Sequence, residues 1–507
     1  MLALVLPLST VPARSQTVQR LPGDDSLRGS FALPPADPVP PPQDPDEWPR
    51  RAEPGWRDRG LRKPAPGTEK PDRVPLPAAV PYPTSPALKR KPVASDERDT
   101  PTPAIEPLIP TVAEAMLPGP PALRRPAAEA DPFAPTGVKA GAFVLKPSLE
   151  QSLGYDSNPN RLTANPKGSA ATRTEGRLNA MSDWSSHRLE LDLRGSYTAF
   201  PNVRNSDQPE GTARATLRLD VDRTTAVELE ARAALSTSRP GAPETGGALG
   251  RSQVLTLGAS AGFNRRMGRL LFDTKALADH TSYEDGKLAG GGTLPLSLDD
   301  FASYALRSRV SYEIGTALNP FVETQVDLRR HDSALDANLY RRDSTGFSAR
   351  IGNSFDVTRT LTGEIAAGYA RRTYEDARFR PVEGPSFAGQ LVWAASPLTR
   401  VTLRAATEIG ETNVLGVAGV SVRKADVEVA HALRRFLTLT AIGSYSKSVY
   451  EGAGLEQDNW SGSFRAEYNL TRNLAIRGTY THEVLRSTAP ASNYSASTVL
   501  FGLRLQR

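Results

Sequence analysis

His187-Arg-Leu-Glu-Leu-Asp-Leu-Arg-Gly-Ser-Tyr-Thr-Ala199 is the stretch that decides how this chain folds. Leu189, Leu191, Leu193, Gly195, Tyr197 and Ala199 alternate with Arg188, Glu190, Asp192, Arg194, Ser196 and Thr198. Successive side chains of a strand point to opposite faces, so this is a strand with one apolar and one charged face. The pattern recurs outward from it. In Thr212–Val221, Ala213, Ala215, Leu217, Leu219 and Val221 alternate with Arg214, Thr216, Arg218 and Asp220. In Ala226–Leu235, Val227, Leu229, Ala231 and Leu235 face away from Glu228, Glu230 and Arg232. Phe301–Glu313, Phe321–Arg330, Leu361–Arg372, Val401–Glu408, Leu437–Tyr450, Trp460–Asn469, Leu474–Glu483 and Ser495–Arg507 repeat it.

A soluble sandwich shows the same alternation with its apolar face turned inward. Three further features separate the two. Connections alternate in length along the chain. Short ones fall near Ser185–Ser186, Asp222–Thr224, Asn264–Gly268, Gly315–Asn319, Asp356–Arg359, Ser396–Thr399, Leu433–Arg435 and Thr471–Arg472. Long polar ones fall at 156–171, 200–210, 237–251, 281–300, 331–342, 374–384, 410–416, 450–458 and 485–493. Tight turns at one end and loops at the other are how outer-membrane barrels are built.

Aromatic residues gather at the ends of the strands. Trp184, Phe263, Tyr312, Phe321, Phe355, Trp393, Phe436 and Tyr468 lie beside the turns. Tyr155, Tyr197, Phe200, Tyr283, Tyr374, Phe387, Tyr450, Trp460 and Tyr494 lie beside the loops. This predicts two aromatic girdles around an apolar band. Proline beyond Gly137 keeps to loops and turns, except Pro147, where a bulge is expected. The segments count to about eighteen strands, an all-β, transmembrane, antiparallel, up-and-down barrel over 138–507. An even count puts both chain ends on the turn side.

Composition sets the remaining bounds. In 507 residues of mean hydropathy −0.40 no apolar run approaches the ~20 residues of a membrane helix. There are no cysteines, which removes disulfides, thiolate metal sites and an acyl-cysteine anchor. Residues 16–137 hold 16 basic and 17 acidic residues, so the net charge of +6 sits in the rest, with no basic cluster for nucleic acid. Of 44 prolines, 31 precede Gly137 and 13 follow it. Segments such as Pro38-Val-Pro-Pro-Pro-Gln43 hold neither helix nor central strand, so 16–137 reads as a disordered proline-rich region. It reads as a spacer, or as a periplasmic arm that touches peptidoglycan or a partner. Residues 1–15 form an apolar run ending in Ala13 and Ser15, the pattern of a signal-peptide end, without the positive n-region.

Gly141-Ala-Phe-Val-Leu-Lys-Pro-Ser-Leu-Glu-Gln-Ser-Leu-Gly-Tyr-Asp-Ser-Asn-Pro-Asn-Arg161 resembles the opening strand of the putative β-barrel porin 2 family, with Gly-Tyr-Asp-Ser-Asn its most specific part. The resemblance covers about 138–507 and implies an outer-membrane, porin-like protein of Gram-negative bacteria. Some members are thought to accompany exopolysaccharide export. Lipid, lipopolysaccharide and the outer-membrane assembly machinery are the partners this implies. Leu505-Gln506-Arg507 departs from the terminal aromatic common in such barrels, while Phe501, Leu503 and Leu505 keep a lipid face.

The charged faces give the candidate pore lining: Arg173, Glu175 and Arg177; Arg188, Glu190, Asp192 and Arg194; Arg214 and Arg218; Glu228, Glu230 and Arg232; Arg307 and Arg309; Glu323, Asp327 and Arg329; Arg404 and Glu408; Arg465 and Glu467; Arg477; and Arg504. Such charges either pair across strands and brace the wall or set the field of a water-filled pore. Their mixed signs argue against strong ion selectivity, with a slight lean to anions. The loop 281–300 could fold inward, although Gly290, Gly291 and Gly292 suit a flexible external loop. His187, His280, His331, His431 and His482 stand on separate segments, and no catalytic spacing, cofactor motif or metal pair emerges. The expected function is a porin-like channel for passive passage of small polar solutes. The alternatives are a structural or anchoring barrel, or an outer-membrane part of an exopolysaccharide exporter.

Overall fold

The computed structural model describes residues 133–238, 243–245, 248, 251–288, 291–314, 318–358, 360–489 and 492–507. The signal-like residues 1–15 and nearly all of the proline-rich region lie outside them. Strands β1 (Phe143–Asp156), β2 (Ser169–Ser182), β3 (Arg188–Ala199), β4 (Gln208–Asp220), β5 (Thr225–Thr237) and β6 (Gln253–Met267) begin the barrel. They are followed by β7 (Leu270–Tyr283), β8 (Phe301–Tyr312), β9 (Leu318–His331), β10 (Ser344–Thr358), β11 (Leu361–Tyr374) and β12 (Val382–Ser396). The last six are β13 (Thr399–Gly410), β14 (Val420–Arg434), β15 (Leu437–Tyr450), β16 (Leu455–Asn469), β17 (Leu474–Ser487) and β18 (Tyr494–Gln506). The sheet has nineteen strands, one of them the three-residue piece Val138–Ala140, which leaves eighteen in the wall. Every sequential pair is antiparallel, and β1 pairs with β18 from Ser148↔Gln506 to Asp156↔Thr498, which closes the ring. Closure leaves no open edge, as a wall in hydrocarbon requires.

The faces divide as the alternation dictates. Leu149, Leu153, Leu229, Leu257, Ile351, Ile365, Leu403, Phe464 and Leu503 point outward and are exposed. Exposed apolar residues on strand after strand would be an aggregation surface in water, but they suit a lipid boundary. On the opposite face Glu175, Glu230, Arg307, Arg309, Arg465 and Arg504 are buried. Nine loops and eight turns join the strands. Tight turns such as Gly268-Arg269, where Gly268 takes φ +62°, occupy one end; loops such as 332–343 and 411–419 occupy the other.

Pro147 makes no bulge. The ladder from Phe143↔Ser182 to Asp156↔Ser169 runs through Pro147↔Leu178 without a shift. Its carbonyl accepts from Arg507, so its missing N–H faces the same edge, where Val138–Ala140 has ended and β18 has barely begun. The other strand prolines obey the same rule: Pro209, Pro320 and Pro385 each lie just beyond the end of one of their two ladders.

The Gly-Tyr-Asp-Ser-Asn stretch forms the seam. A Cβ on Gly154 would sit 1.8 Å from the Val499 carbonyl oxygen, so only glycine lets β1 and β18 close there. Just beyond, Asp156 accepts from the Asn158 amide at 2.8 Å, the Thr498 hydroxyl at 2.8 Å and the Arg161 guanidinium at 2.9 Å. The Asn158 amide group donates across to Ser495 at 3.2 Å, and the Ser497 amide donates to Ser157 at 2.8 Å. These polar groups latch the first strand to the last.

The aromatic girdles are only partly present. On the turn side Trp184, Phe263, Tyr312, Trp393, Phe436 and Tyr468 are exposed on the outer face, whereas Phe321 is buried inside beneath Arg309. On the loop side Tyr155, Tyr197, Phe387 and Trp460 face outward. Phe200, Tyr450 and Tyr494 are buried, and Tyr374 packs against buried Phe379. These inward rings, with Tyr283, belong to the loop mouth.

Candidate pore lining and loop mouth

Every charged residue chosen from the alternation lies on the face opposite the exposed apolar side chains, and most are locked in pairs. Arg309 holds Glu364 through two bonds, 2.8 and 2.6 Å, and lies 3.5 Å over the Phe321 ring. Arg232 grips Asp279 at 2.9 and 2.6 Å and reaches Glu230 at 3.3 Å. Arg477 joins Glu150 at 2.6 Å to Glu467 at 2.7 Å, and Arg504 approaches Glu467 at 3.9 Å. Glu175 gathers Arg173, Arg177 and Arg194. Arg404 lies 3.6 Å from Glu428, Glu408 the same distance from Lys424, and Glu228 from Lys275. Arg214 lies 3.7 Å from Glu230, Asp192 accepts from Asn179 at 3.2 Å, and Asp327 pairs with Arg372. Glu323 takes Arg350 at 3.5 Å, and Arg307 donates to Gln325 at 3.2 Å. Arg188 and Arg218 stand near the turn rim, against Glu190 and Asp220. Charges close together on one wall pair with their neighbours and stiffen it.

The alternation missed half of several pairs: Glu150, Lys275, Asp279, Arg350, Glu364, Arg372, Lys424 and Glu428. On β11 the inner row is Thr362, Glu364, Ala366, Gly368, Ala370 and Arg372, and Arg371 stands on the other face. Small inner residues and an outer charge blur the parity. On β7 buried Leu271 and Leu277 interrupt the polar row of Asp273, Lys275 and Asp279.

The loop end is packed. The loop 281–300, whose glycines suit an external loop, folds inward only at its base. Leu296 is buried in the short 3-10 turn Leu296–Asp299, whereas Lys287 and Gly292 are exposed. Two other loops do more. Glu244, between β5 and β6, accepts the Tyr450 hydroxyl of β15 at 2.6 Å. Those strands stand about half a circumference apart, so this bond spans the mouth. Segment 411–419 lies against it: Val417 packs with Val420, Val422 and Tyr450. Arg342 donates to the Val417 and Val414 carbonyls at 3.0 and 3.3 Å and pairs with Asp336 at 2.5 Å. The Asn413 amide group donates to Asp299 at 2.9 Å, and Arg329 pairs with Glu411. Tyr340 stacks on Phe379 with ring centres 4.7 Å apart. Where these loops meet, a cavity of about 30 Å³ remains between Glu244, Tyr283, Asp299, His331 and Glu411. Tyr283, Asp299 and Glu411 each contribute a buried polar atom that makes no hydrogen bond to the protein there. Water fits both the volume and the polarity.

Burial also shifts the charges of the mouth. It pushes the Asp299 carboxyl up, against the pull of the Asn413 bond. Burial acts the same way on Glu411, but Arg329 and Arg372 outweigh it and hold Glu411 below the usual carboxylate range. Burial, with Arg161 adding to it, pushes the Arg251 guanidinium down to about 10. Arg251 donates to the Pro159 carbonyl at 2.5 Å and ties one loop to another.

One histidine cluster has a nucleophile-like outline that the sequence spacing did not reveal. The Ser282 hydroxyl lies 3.2 Å from His280 Nδ1, and His280 Nε2 lies 2.9 Å from Asp332. The next amide, on Tyr283, donates to Asp300 at 2.7 Å and is not free to stabilise an oxyanion. His431 and His482 make similar contacts to Thr399 and Ser497, so the motif is a recurrent surface pairing. Among the described residues no group of His, Asp or Glu is placed to hold a metal ion.

Residues 131–507 match the model of a family described as putative beta-barrel porin 2. No curated protein matches the chain. Among solved structures, OpdO from Pseudomonas aeruginosa is 13% identical, covers 72% of this chain and 97% of its own, and superposes with a TM-score of 0.38. The siderophore receptor PiuA from Acinetobacter baumannii is 11% identical, covers 73% and 82%, and superposes at 0.41.

Proposed function

Because the chain belongs to the putative beta-barrel porin 2 family, we propose that it is an outer-membrane channel for small polar solutes, with a charge-lined bore narrowed at its loop end. The observation that carries this reading is the inner wall. Its side chains are ionised pairs and hydroxyls, such as Arg477 between Glu150 and Glu467, in place of an apolar core. A wall of that kind suits water and polar solutes. The loops face outward from the cell, and the turns face the periplasm with the proline-rich arm. Mixed pairs leave little net field, so selectivity by charge is weak. Swelling of proteoliposomes in arabinose and in raffinose tests the proposal. Arabinose enters and raffinose lags; vesicles impermeable to both would contradict it.

The bond from Glu244 to Tyr450 across the mouth favours a second reading, a closed barrel that anchors or scaffolds. Under that reading the arm is the working part. Pull-down on peptidoglycan with and without residues 16–137 separates the two: retention lost with the arm, in a barrel that passes no arabinose, supports the scaffold.

A further inference from the structure

We propose that the bore holds an oxyanion subsite centred on Arg465, built for a carboxylate- or phosphate-bearing solute. The proposal deepens the channel reading and rests on it for its solute, but not for its chemistry. Arg465 lies on the inner face of β16 and is only 6% exposed. Its Nε and Nη2 are buried and meet no hydrogen-bond acceptor. This sets it apart from the arginines around it. Arg477 is held by Glu150 and Glu467, Arg173 by Glu175, and Arg161 by Asp156 and Glu483. The carboxylates that hold those arginines are therefore engaged elsewhere, and Glu428, 3.6 Å from Arg404, makes no hydrogen bond to Arg465.

A buried guanidinium without a partner is costly, and the wall offers cheaper residues at such a position. The cost is recovered if a ligand supplies the missing acceptors. The space for one is present. Arg465 lines a cavity of about 110 Å³ inside the barrel, with Arg477, Thr479 and Arg173 on its walls. Thr440 and Thr479 flank Arg465 in its own row, one on each neighbouring strand. A planar guanidinium donates two parallel bonds to a carboxylate or phosphate, and hydroxyls beside it complete such a seat. Glu150 and Glu175 also line the cavity, so a multiply charged anion is disfavoured relative to a single carboxylate.

The test is calorimetric titration of the full chain in detergent micelles with sodium acetate and, separately, with inorganic phosphate. Wild type and Arg371→Gln, whose arginine stands on the outer face beside Glu383, should bind at least one of the two alike. Arg465→Gln should bind at least tenfold more weakly, and Arg465→Lys should fall between. Binding of acetate alone identifies a carboxylate seat, and binding of phosphate alone a phosphate seat. Heat-modified migration in gels checks that each variant folds, and Arg465→Gln without ligand should unfold at a higher temperature than wild type. Equal binding by wild type and Arg465→Gln, or none by wild type, overturns the proposal. Neither result depends on current through the bore, so the subsite and the channel can fail separately.

Discussion

Along the wall, a side chain's place follows from its parity in a strand; at the loop mouth it does not. Leu189, Leu191 and Leu193 face lipid, and Arg188, Glu190 and Asp192 face in, because a strand permits nothing else. At the mouth, Leu415 is exposed while Val417, two residues on, is buried. Glu244 meets Tyr450, 206 residues away, for reasons that no local pattern carries. The wall is a repeated local rule, and the mouth is a set of single long-range contacts. The two regions should therefore fail differently when mutated.

The largest loss is expected at the seam, where wall and mouth meet. Asp156→Ala removes the acceptor of Arg161, Asn158 and Thr498 and leaves a buried guanidinium with one fewer partner, costing about 3–5 kcal/mol. Urea unfolding of the barrel in lipid should show it; a loss below ~1 kcal/mol would mean that the seam does not depend on this latch. In the wall, Ile351→Arg on the lipid face should cost about 2–4 kcal/mol in the same assay, whereas Arg at a loop tip such as Leu339 should cost almost nothing. Equal costs would erase the distinction between the two regions. At the mouth, Tyr450→Phe removes one bond and should cost only ~1 kcal/mol, yet speed hydrogen exchange across 411–419.

The smallest effect is one of pH. Asp299 has its carboxyl raised by burial, so its charged form strains the mouth; that strain is relieved as pH falls through its raised value. Glu411 is depressed by Arg329 and Arg372, so its contribution is present above the ordinary carboxylate range and is lost only as pH falls through its lowered value. Exchange of 411–419 should therefore slow slightly on mild acidification and quicken in stronger acid. A monotonic rise from neutral pH would contradict that order.

The same contrast marks how far the sequence could be read. Eighteen strands, the outer and inner faces, and the end that carries the loops all follow from period-two alternation and connection length. Pro147 looked like a bulge because a proline costs a ladder bond in a central strand; register shows that it faces the edge just before the ladder to β18 begins at Ser148↔Gln506. Phe321 looked like a girdle residue from its place beside a turn, although it shares parity with Glu323 and so must face in. Tyr374, Tyr450 and Tyr494 also share the parity of the inner row, so alternation already turned them inward; what only the loops reveal is what they pack against. The loop 281–300 drew notice by its length, but length does not say which loop folds inward; the apolar run Val414-Leu-Gly-Val-Ala-Gly-Val420 carried that signal. The anion seat was half legible: Arg465 stood among the lining residues, but its lack of a partner emerges only once every neighbouring carboxylate is assigned.

Single-channel recording in planar bilayers tests the central claim most directly. Wild type should pass a small current, and a variant with residues 239–250 replaced by a short glycine-serine link should pass a current several-fold larger, because the bond from Glu244 to Tyr450 across the mouth is gone. If both are silent, or if wild type already conducts as freely as the shortened variant, the account of a polar bore narrowed by its loops is wrong.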